Sequence, residues 1–208
     1  MKKLLHIVAT PRGEESRTLQ ISDVFLDAFK QGHADWVVEE LDLSREPLPS
    51  LTMKRVDGKY VLLGGNELYG ELREAWDEII AHIERFLSAD AYLLSTPMWN
   101  FSIPYSLKHY IDLIVQPTYL FRYTDAGVEG LVKNRKMVVI ASRGGDYREQ
   151  SGGSAYDFQM PYLRALFGFV GLTDIRFIIA QPMDMGIDQQ RRMIEQAKEE
   201  AAAAARGF

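Results

Sequence analysis

The stretch Ala91-Tyr92-Leu93-Leu94-Ser95-Thr96-Pro97-Met98-Trp99-Asn100-Phe101 decides the fold. Its first five residues form a largely apolar run, which is typical of a parallel strand that is covered on both faces. The residues that follow place two aromatic rings and an amide at the carboxyl end of this strand. Ligands of open α/β sheets bind in the crevice at that end. The stretch therefore predicts an α/β protein with a ligand site here, with a hydrophobic loop packed under a helix as the alternative.

Composition sets the class of protein. The chain has 208 residues, of which 47% are hydrophobic and 25% charged, and this predicts one domain, residues 1–208, with a substantial core. A net charge of −5 without any basic block argues against a nucleic-acid partner. The absence of cysteine excludes disulfides, thiolate metal sites and cysteine nucleophiles, so redox chemistry requires a bound cofactor.

The sequence also bears on location. The N-terminal apolar run is too short for a signal peptide and has no small-residue cleavage site after it. No other segment approaches the ~18 apolar residues of a membrane span. We therefore expect a soluble, cytoplasmic protein without a membrane partner.

Five predicted strands alternate with helical segments, at residues 4–9, 36–43, 91–95, 136–142 and 175–180. Apolar residues with a period near 3.6 predict helices at about 17–31, 70–88 and 156–170, after Pro104, and at the C-terminus. Ser102 is a candidate cap for the helix after Pro104. The second strand alternates in polarity, which suits a sheet edge, and residues 47–70 are predicted as an irregular surface excursion. The pattern indicates a flavodoxin-like, doubly wound, five-stranded parallel sheet of order 2-1-3-4-5 with helices on both faces.

The loop after the first strand is rich in hydroxyl groups and leads into a helix. Its sequence, Thr10-Pro11-Arg12-Gly13-Glu14-Glu15-Ser16-Arg17-Thr18, matches neither the P-loop nor the dinucleotide-binding turn. The free amides and the dipole of a helix N-terminus favour a phosphate group, and hydroxyls suit a terminal monophosphate. The alternative is that Ser16 or Thr18 only caps the helix.

The loop after the fourth strand, Ser142-Arg143-Gly144-Gly145-Asp146, carries paired glycines. Such a pair lets the backbone approach a ligand closely, although read alone it is an ordinary turn. The predicted fold brings this loop beside the other two at the switch point of the sheet. A phosphate site, an aromatic surface and a glycine backbone in one crevice together match flavin mononucleotide (FMN).

The chain resembles the FMN-dependent NADH-azoreductase and quinone reductase family of flavodoxin-like enzymes. The resemblance rests on Pro97-Met98-Trp99-Asn100-Phe101, on Phe121-Arg122-Tyr123-Thr124 and on Ser142-Arg143-Gly144-Gly145 at their mutual spacing. It implies that the phosphate is bound by Thr10, Ser16, Arg17 and Thr18. It implies that the ring is cradled by Pro97, Met98, Trp99, Asn100 and Phe101, and that its pyrimidine side meets Ser142, Arg143, Gly144 and Gly145. The family commonly has tyrosine at the position of Trp99, which bears on substrate preference.

The resemblance also implies an activity. NADH or NADPH would deliver a hydride to the flavin N5, leave, and be replaced by a quinone or azo acceptor, in a two-electron ping-pong reaction. No catalytic side chain is required, because FMN carries the chemistry and the protein orients the reactants. Tyr123 and Phe169 match aromatic residues of the family's substrate pocket, with Phe169 supplied by the second subunit of a homodimer. Plain core packing is the alternative for Phe169.

Two other classes of function remain open. A flavodoxin-like electron carrier, or a regulatory module that binds FMN, would have the cofactor but no small-molecule substrate of its own. The four histidines share no metal-ligand spacing, so we predict no metal site. A hydrolase has no nucleophile elbow in this sequence.

Overall fold

A computed structural model describes residues 1–208. The seven strands are β1 (Lys2–Val8), β2 (Trp36–Asp42), β3 (Ala91–Pro97), β4 (Phe121–Thr124), β5 (Gly127–Gly130), β6 (Lys136–Ser142) and β7 (Asp174–Ala180). Five of them form a parallel sheet of order β2-β1-β3-β6-β7, while β4 and β5 form a separate antiparallel hairpin. With the hairpin set aside, the five sheet strands lie in the predicted order, and β2 is at an edge.

Helices cover both faces of this sheet. The six α-helices are α1 (Arg17–Gly32), α2 (Met53–Leu63), α3 (Gly70–Leu87), α4 (Tyr105–Ile114), α5 (Met160–Phe169) and α6 (Ile187–Arg206). Side chains of α1 and α6 share one buried cluster with one face of the sheet, and those of α3, α4 and α5 share a larger cluster with the other. Alternate strand residues supply the two clusters: Leu4 and Leu93 face α1, whereas Leu5 and Leu94 face α3.

The alanine-rich C-terminus completes the first face. Ala201, Ala204 and Ala205 are buried, and this small-residue stripe of α6 packs beside Phe25 and Phe29 of α1. The aromatic ring of Phe208 meets the rings of Phe25 and Phe29 edge-on, at centroid distances of 5.6 and 5.4 Å. The tail is therefore part of the core.

The prediction of an irregular excursion at residues 47–70 is wrong, because α2 lies within it. Its glycine, Gly58, is buried against the indole of Trp76, and a Cβ at this position would lie 2.2 Å from Nε1 of that ring. The indole Nε1 donates to the carbonyl oxygen of Arg55, at 2.9 Å. Close approach of α3 thus explains a glycine that, in the sequence alone, indicates a loop.

Three smaller predictions also differ from the structure. Ser102 does not cap α4; the residue before the helix is Pro104, which makes no side-chain capping bond, and Ser102 instead pairs with Trp99. Helix α5 begins at Met160 rather than near residue 156, since Asp157 turns the chain there and accepts from the N–H groups of Gln159 and Met160. The β4–β5 hairpin has no counterpart among the predicted elements.

None of the six helices combines the length and the apolar character that crossing a membrane requires. No group of three or more His, Asp or Glu side chains is placed to hold a metal ion.

Candidate functional site

The carboxyl ends of β1, β3 and β6 border one cavity of about 220 Å³. Ten of the residues predicted for the cofactor site line it: Thr10, Ser16, Arg17, Thr18, Pro97, Met98, Trp99, Ser142, Arg143 and Gly144. Arg12, Met183 and Asp184 complete the wall. The three loops that the sequence singled out therefore meet in one crevice, while the binding role of each residue stays a prediction.

The first turn of α1 presents unpaired donors to this cavity. Ser16 is the N-cap, and its Oγ accepts from the N–H of Leu19 at 3.3 Å. The backbone N–H groups of Arg17 and Thr18 make no hydrogen bond within the protein, as is usual for the first residues of a helix. With the positive end of the helix dipole, they make this turn attractive to an anion. Ser16 therefore caps the helix and borders the cavity at the same time.

A hydroxyl pair joins α1 to β6 at the floor of the cavity. The Oγ1 atom of Thr18 lies 2.7 Å from the Oγ atom of Ser142. Thr10 and Thr18 are almost fully buried, although each carries a polar hydroxyl. Buried hydroxyls need partners, and those of Thr18 and Ser142 satisfy each other across the two elements.

The loop after β3 contains an unusual tight turn. The backbone groups of Trp99 and Ser102 bond to each other in both directions, at 2.9 and 3.0 Å. The two residues between them have positive φ angles, 46° for Asn100 and 69° for Phe101. A bulky residue such as Phe101 adopts this conformation at a cost of about 1–3 kcal/mol. Strain of this kind is concentrated at functional sites, so the turn is itself a reason to place a site here.

Trp99 separates two cavities. Besides the cavity described above, it lines a second one of about 300 Å³, whose wall includes Pro11, Tyr105 and His109. Asn100, Phe101 and Gly145, which were also predicted for the cofactor site, do not line the first cavity. The ring of Phe101 packs on that of Tyr156, at a centroid distance of 5.2 Å.

The guanidinium group of Arg143 ties the loops together. It is almost completely buried and forms an ion pair with Asp157 at 2.9 Å and a hydrogen bond to Gln159 at 3.0 Å. The amide of Gln159 in turn donates to the carbonyl oxygen of Pro97, at 2.9 Å. Burial lowers the pKa of Arg143 and the charge of Asp157 opposes this effect. The side chain that sequence alone assigned to ligand contact is thus engaged in holding the β3 and β6 loops to the start of α5.

The glycine pair after β6 leaves backbone donors free. The N–H groups of Gly144 and Gly145 have no partner within the protein. The carbonyl oxygen of Gly144 accepts from the N–H groups of Met183 and Asp184, at 3.0 and 3.1 Å. A Cβ on Gly144 would overlap Oδ2 of Asp184, so a larger residue here would have to displace that carboxylate.

Tyr123 and Phe169 lie outside the cavity. Both contact the ring of Phe121, at centroid distances of 5.8 Å for Tyr123 and 4.7 Å for Phe169. Tyr123 and Phe169 are 63% and 40% exposed as whole residues, so neither is a core residue. They form one exposed aromatic cluster between the hairpin and the end of α5.

A buried polar chain lies behind the cavity. The Nε2 atom of His6 is 2.8 Å from Oγ of Ser95, which is 2.6 Å from Oγ of Ser22, and Ser22 donates to the carbonyl oxygen of Thr18. Burial is the main cause that lowers the pKa of His6 to about 4. His6 is therefore neutral near pH 7 and serves in the packing behind α1.

Sequence reasoning missed Asp184, Met183 and the pair of Asp157 and Gln159. Asp184 and Met183 follow β7, which lies beside β6 in the sheet, so the strand order alone places their loop near the cavity. Asp157 and Gln159 lie at the start of the segment predicted as a helix, about 156–170, where the sequence has no recognisable motif. No local signal points to their long-range contacts with Arg143.

The sequence pattern of the flavodoxin-like fold family matches residues 2–205. The chain is 36% identical, over 203 residues, to a protein of Nitratidesulfovibrio vulgaris named FMN-dependent NADH:quinone oxidoreductase. That similarity covers 95% of this chain and 97% of the relative.

Two solved structures from Bacillus anthracis are similar over nearly the whole chain. An azoreductase of the Sterne strain superposes with a TM-score of 0.90 at 29% identity, covering 100% of both chains. An FMN-dependent NADH-azoreductase of the Ames Ancestor strain, solved in complex with FMN, superposes with a TM-score of 0.84 at 27% identity. It covers 99% of this chain and 100% of the other.

Proposed function

Because the chain belongs to the flavodoxin-like family, we propose that it is an FMN-dependent NADH:quinone oxidoreductase that also reduces azo compounds. The observation that carries this proposal is the convergence of three loops on one cavity: the start of α1, the strained turn after β3 and the glycine pair after β6. Each loop offers a different kind of contact, and a flavin mononucleotide uses all three.

The residues present fit the phosphate end of FMN. The unpaired N–H groups of Arg17 and Thr18, the hydroxyls of Thr10, Ser16 and Thr18, and the guanidinium of Arg17 border one small cavity. Backbone donors at a helix start, together with the arginine side chains, suit a phosphate monoester. The sequence contains no dinucleotide-binding turn, so we propose FMN rather than a dinucleotide flavin.

The residues present also fit the ring end. Met98 and Trp99 line the cavity with apolar surface, and Asn100, the next residue along the chain, carries the amide that we assign to the ring edge. The free N–H groups of Gly144 and Gly145 are donors that stabilise negative charge on a ring placed against them. FMN held there would supply the redox chemistry, namely uptake of a hydride from the nicotinamide and its transfer to the acceptor. The role of the protein is to hold the ring, exclude water and align the reactants. Arg143 contributes by fixing the loops in place.

The proposal includes a homodimer and a single domain spanning residues 1–208. Tyr123 and Phe169 are exposed in a single copy, so neither is needed for packing there. In the proposed homodimer both would line the substrate pocket, with Phe169 supplied by the second subunit. A further cavity of about 370 Å³, between α2, α4 and α5, has a mainly apolar wall that includes Val56, Tyr60 and Ile111. Light scattering tests the proposed homodimer: a species of the monomer mass that keeps full activity would contradict it. The proposed dependence on NADH suits the cytoplasm.

The central test measures cofactor binding and turnover in the purified protein. We expect the fluorescence of FMN to be quenched on binding. We also expect FMN to bind more tightly than riboflavin, because only FMN fills the phosphate site. We expect NADH oxidation to depend on menadione or an azo dye. FMN binding without such turnover would support an electron carrier or a regulatory module, and equal affinity for riboflavin would refute the phosphate assignment.

Two substitutions locate the ring. Trp99→Ala should lower turnover more than FMN affinity, and Trp99→Phe serves as the control that keeps an aromatic wall. Asn100→Ala should weaken FMN binding by about 1 kcal/mol, the usual contribution of one such hydrogen bond. If both alanine variants keep wild-type affinity and turnover, the ring lies elsewhere.

A further inference from the structure

An ion pair spans the mouth of the candidate phosphate cavity. The Nη1 atom of Arg17, in the first turn of α1, lies 2.8 Å from Oδ1 of Asp184, in the loop between β7 and α6. Both side chains line the cavity. Arg12 also lines the cavity and pairs with Glu15 at 3.4 Å. The arginine within the first turn of the helix, Arg17, is thus already paired with the carboxylate of Asp184.

Asp184 is held in this position by more than the arginine. Its backbone N–H donates to the carbonyl oxygen of Gly144, at 3.1 Å. Its second carboxylate oxygen, Oδ2, occupies the space beside Gly144 where a Cβ would otherwise be. The carboxylate therefore sits against the β6 loop at the mouth of the cavity, with its side chain 66% exposed to solvent.

We propose that Asp184 is a specificity-determining residue of the phosphate site, which competes with the phosphate for Arg17 and lowers the affinity for doubly charged ligands. This inference rests on the proposed function. A phosphate monoester carries a charge of about −1.5 to −2 at pH 7, so binding brings two anions to one guanidinium in a small cavity. Like charges at such distances repel, even though water at the mouth screens them in part.

Asp184 also has a second effect, which acts in the opposite direction and favours FMN binding. Asp184 also holds the Arg17 side chain in place, which saves conformational entropy when a ligand binds. The ordering of one side chain is a small contribution, whereas the repulsion scales with the double charge of the ligand. Asp184 therefore opposes FMN binding on balance and leaves riboflavin, which lacks the phosphate, unaffected.

Asp184→Asn separates the two effects, because the amide oxygen of asparagine still accepts a hydrogen bond from Arg17 while the charge is removed. We expect the dissociation constant for FMN to fall about tenfold, which corresponds to about 1.4 kcal/mol. The dissociation constant for riboflavin should not change. Asp35→Asn is the matched control: Asp35 is exposed just before β2, at the opposite edge of the sheet, and the substitution changes the net charge equally.

Fluorescence titration gives both constants, and an FMN affinity that is unchanged or weaker in Asp184→Asn overturns the proposal. Asp184→Ser provides a second variant without the charge. Thermal unfolding with inorganic phosphate tests the same competition without the flavin. If the wild type binds no FMN but phosphate stabilises Asp184→Asn more than the wild type, the proposed function fails and the role of Asp184 stands. If phosphate stabilises both proteins equally, the role of Asp184 fails.

Discussion

Acidification should destabilise the protein through one buried histidine, His6. Ser22 donates its only hydroxyl proton to the carbonyl oxygen of Thr18, so Ser95 must donate to Ser22, and Ser95 must accept from His6. This order fixes the proton of the neutral ring on Nε2. The other nitrogen, Nδ1, has no hydrogen-bond partner, and the nearest carboxylate oxygen, on Glu40, is 3.9 Å away and belongs to a largely exposed side chain.

The magnitude follows from the pKa. Burial lowers the pKa of His6 from 6.5 to about 4, so the unfolded chain takes up a proton between these values while the folded protein does not. Stability is therefore full above pH 6.5 and is lost as the pH falls towards 4. At about 1.4 kcal/mol for each pH unit, the total loss is about 3 kcal/mol, of which about 2 kcal/mol is reached at pH 5.

His6→Gln is the informative variant, because the glutamine amide still donates to Ser95 but does not titrate. Urea unfolding at several pH values should show the wild type and His6→Gln approaching each other by about 2 kcal/mol between pH 7.5 and pH 5. Contributions of the other titrating groups cancel in this difference. A difference that is independent of pH, or an NMR titration of the His6 ring with a midpoint above 6, would refute the reasoning.

Three further predictions concern stability. Gly58→Ala should cost about 1–3 kcal/mol, because its Cβ would overlap the indole of Trp76, whereas Gly32→Ala at the open end of α1 should gain about 0.5 kcal/mol; urea unfolding measures both. Asp157→Ala should cost about 3–5 kcal/mol in the same assay, because it leaves a buried guanidinium without its counter-charge; a loss below 1 kcal/mol would contradict this. Phe101→Gly should be more stable than Phe101→Ala by about 1 kcal/mol, since only glycine adopts a positive φ without strain, and equal stabilities would argue against that conformation.

The sheet is predictable from the sequence because its strands are buried on both faces. Residues 136–142 read as a strand from composition alone, and β6 has these bounds in the structure. Strand β3 runs two residues beyond its apolar part, because Thr96 and Pro97 pair with the end of β6, and such pairing depends on a distant segment. Helix α2 was not predicted, for a related reason. Gly58 by itself indicates a loop, and only the structure shows that Trp76 packs on it.

The candidate site, too, was predictable only in part. The loops were predictable because they follow strands directly, and topology brings strand ends together. The contacts between loops were not predictable, because they join residues far apart in the chain. Arg143 shows this clearly: its place after β6 indicates ligand contact, whereas its partners Asp157 and Gln159 give it a structural role. Asp184 reaches the cavity only because β7 neighbours β6.

Two departures from ordinary local structure lie at the carboxyl end of the sheet, around the cavity. Asn100 and Phe101 hold positive φ angles, and Arg143 is buried with its Nη2 atom unpaired. Each of these features costs stability. Glycine in the turn would serve the fold at a lower cost. Thr118 and Asn134 also have positive φ angles, but the turn after β3 is the one place where two such non-glycine residues follow each other. Strain concentrated in this turn, beside the cavity, therefore argues that the loop is maintained for binding.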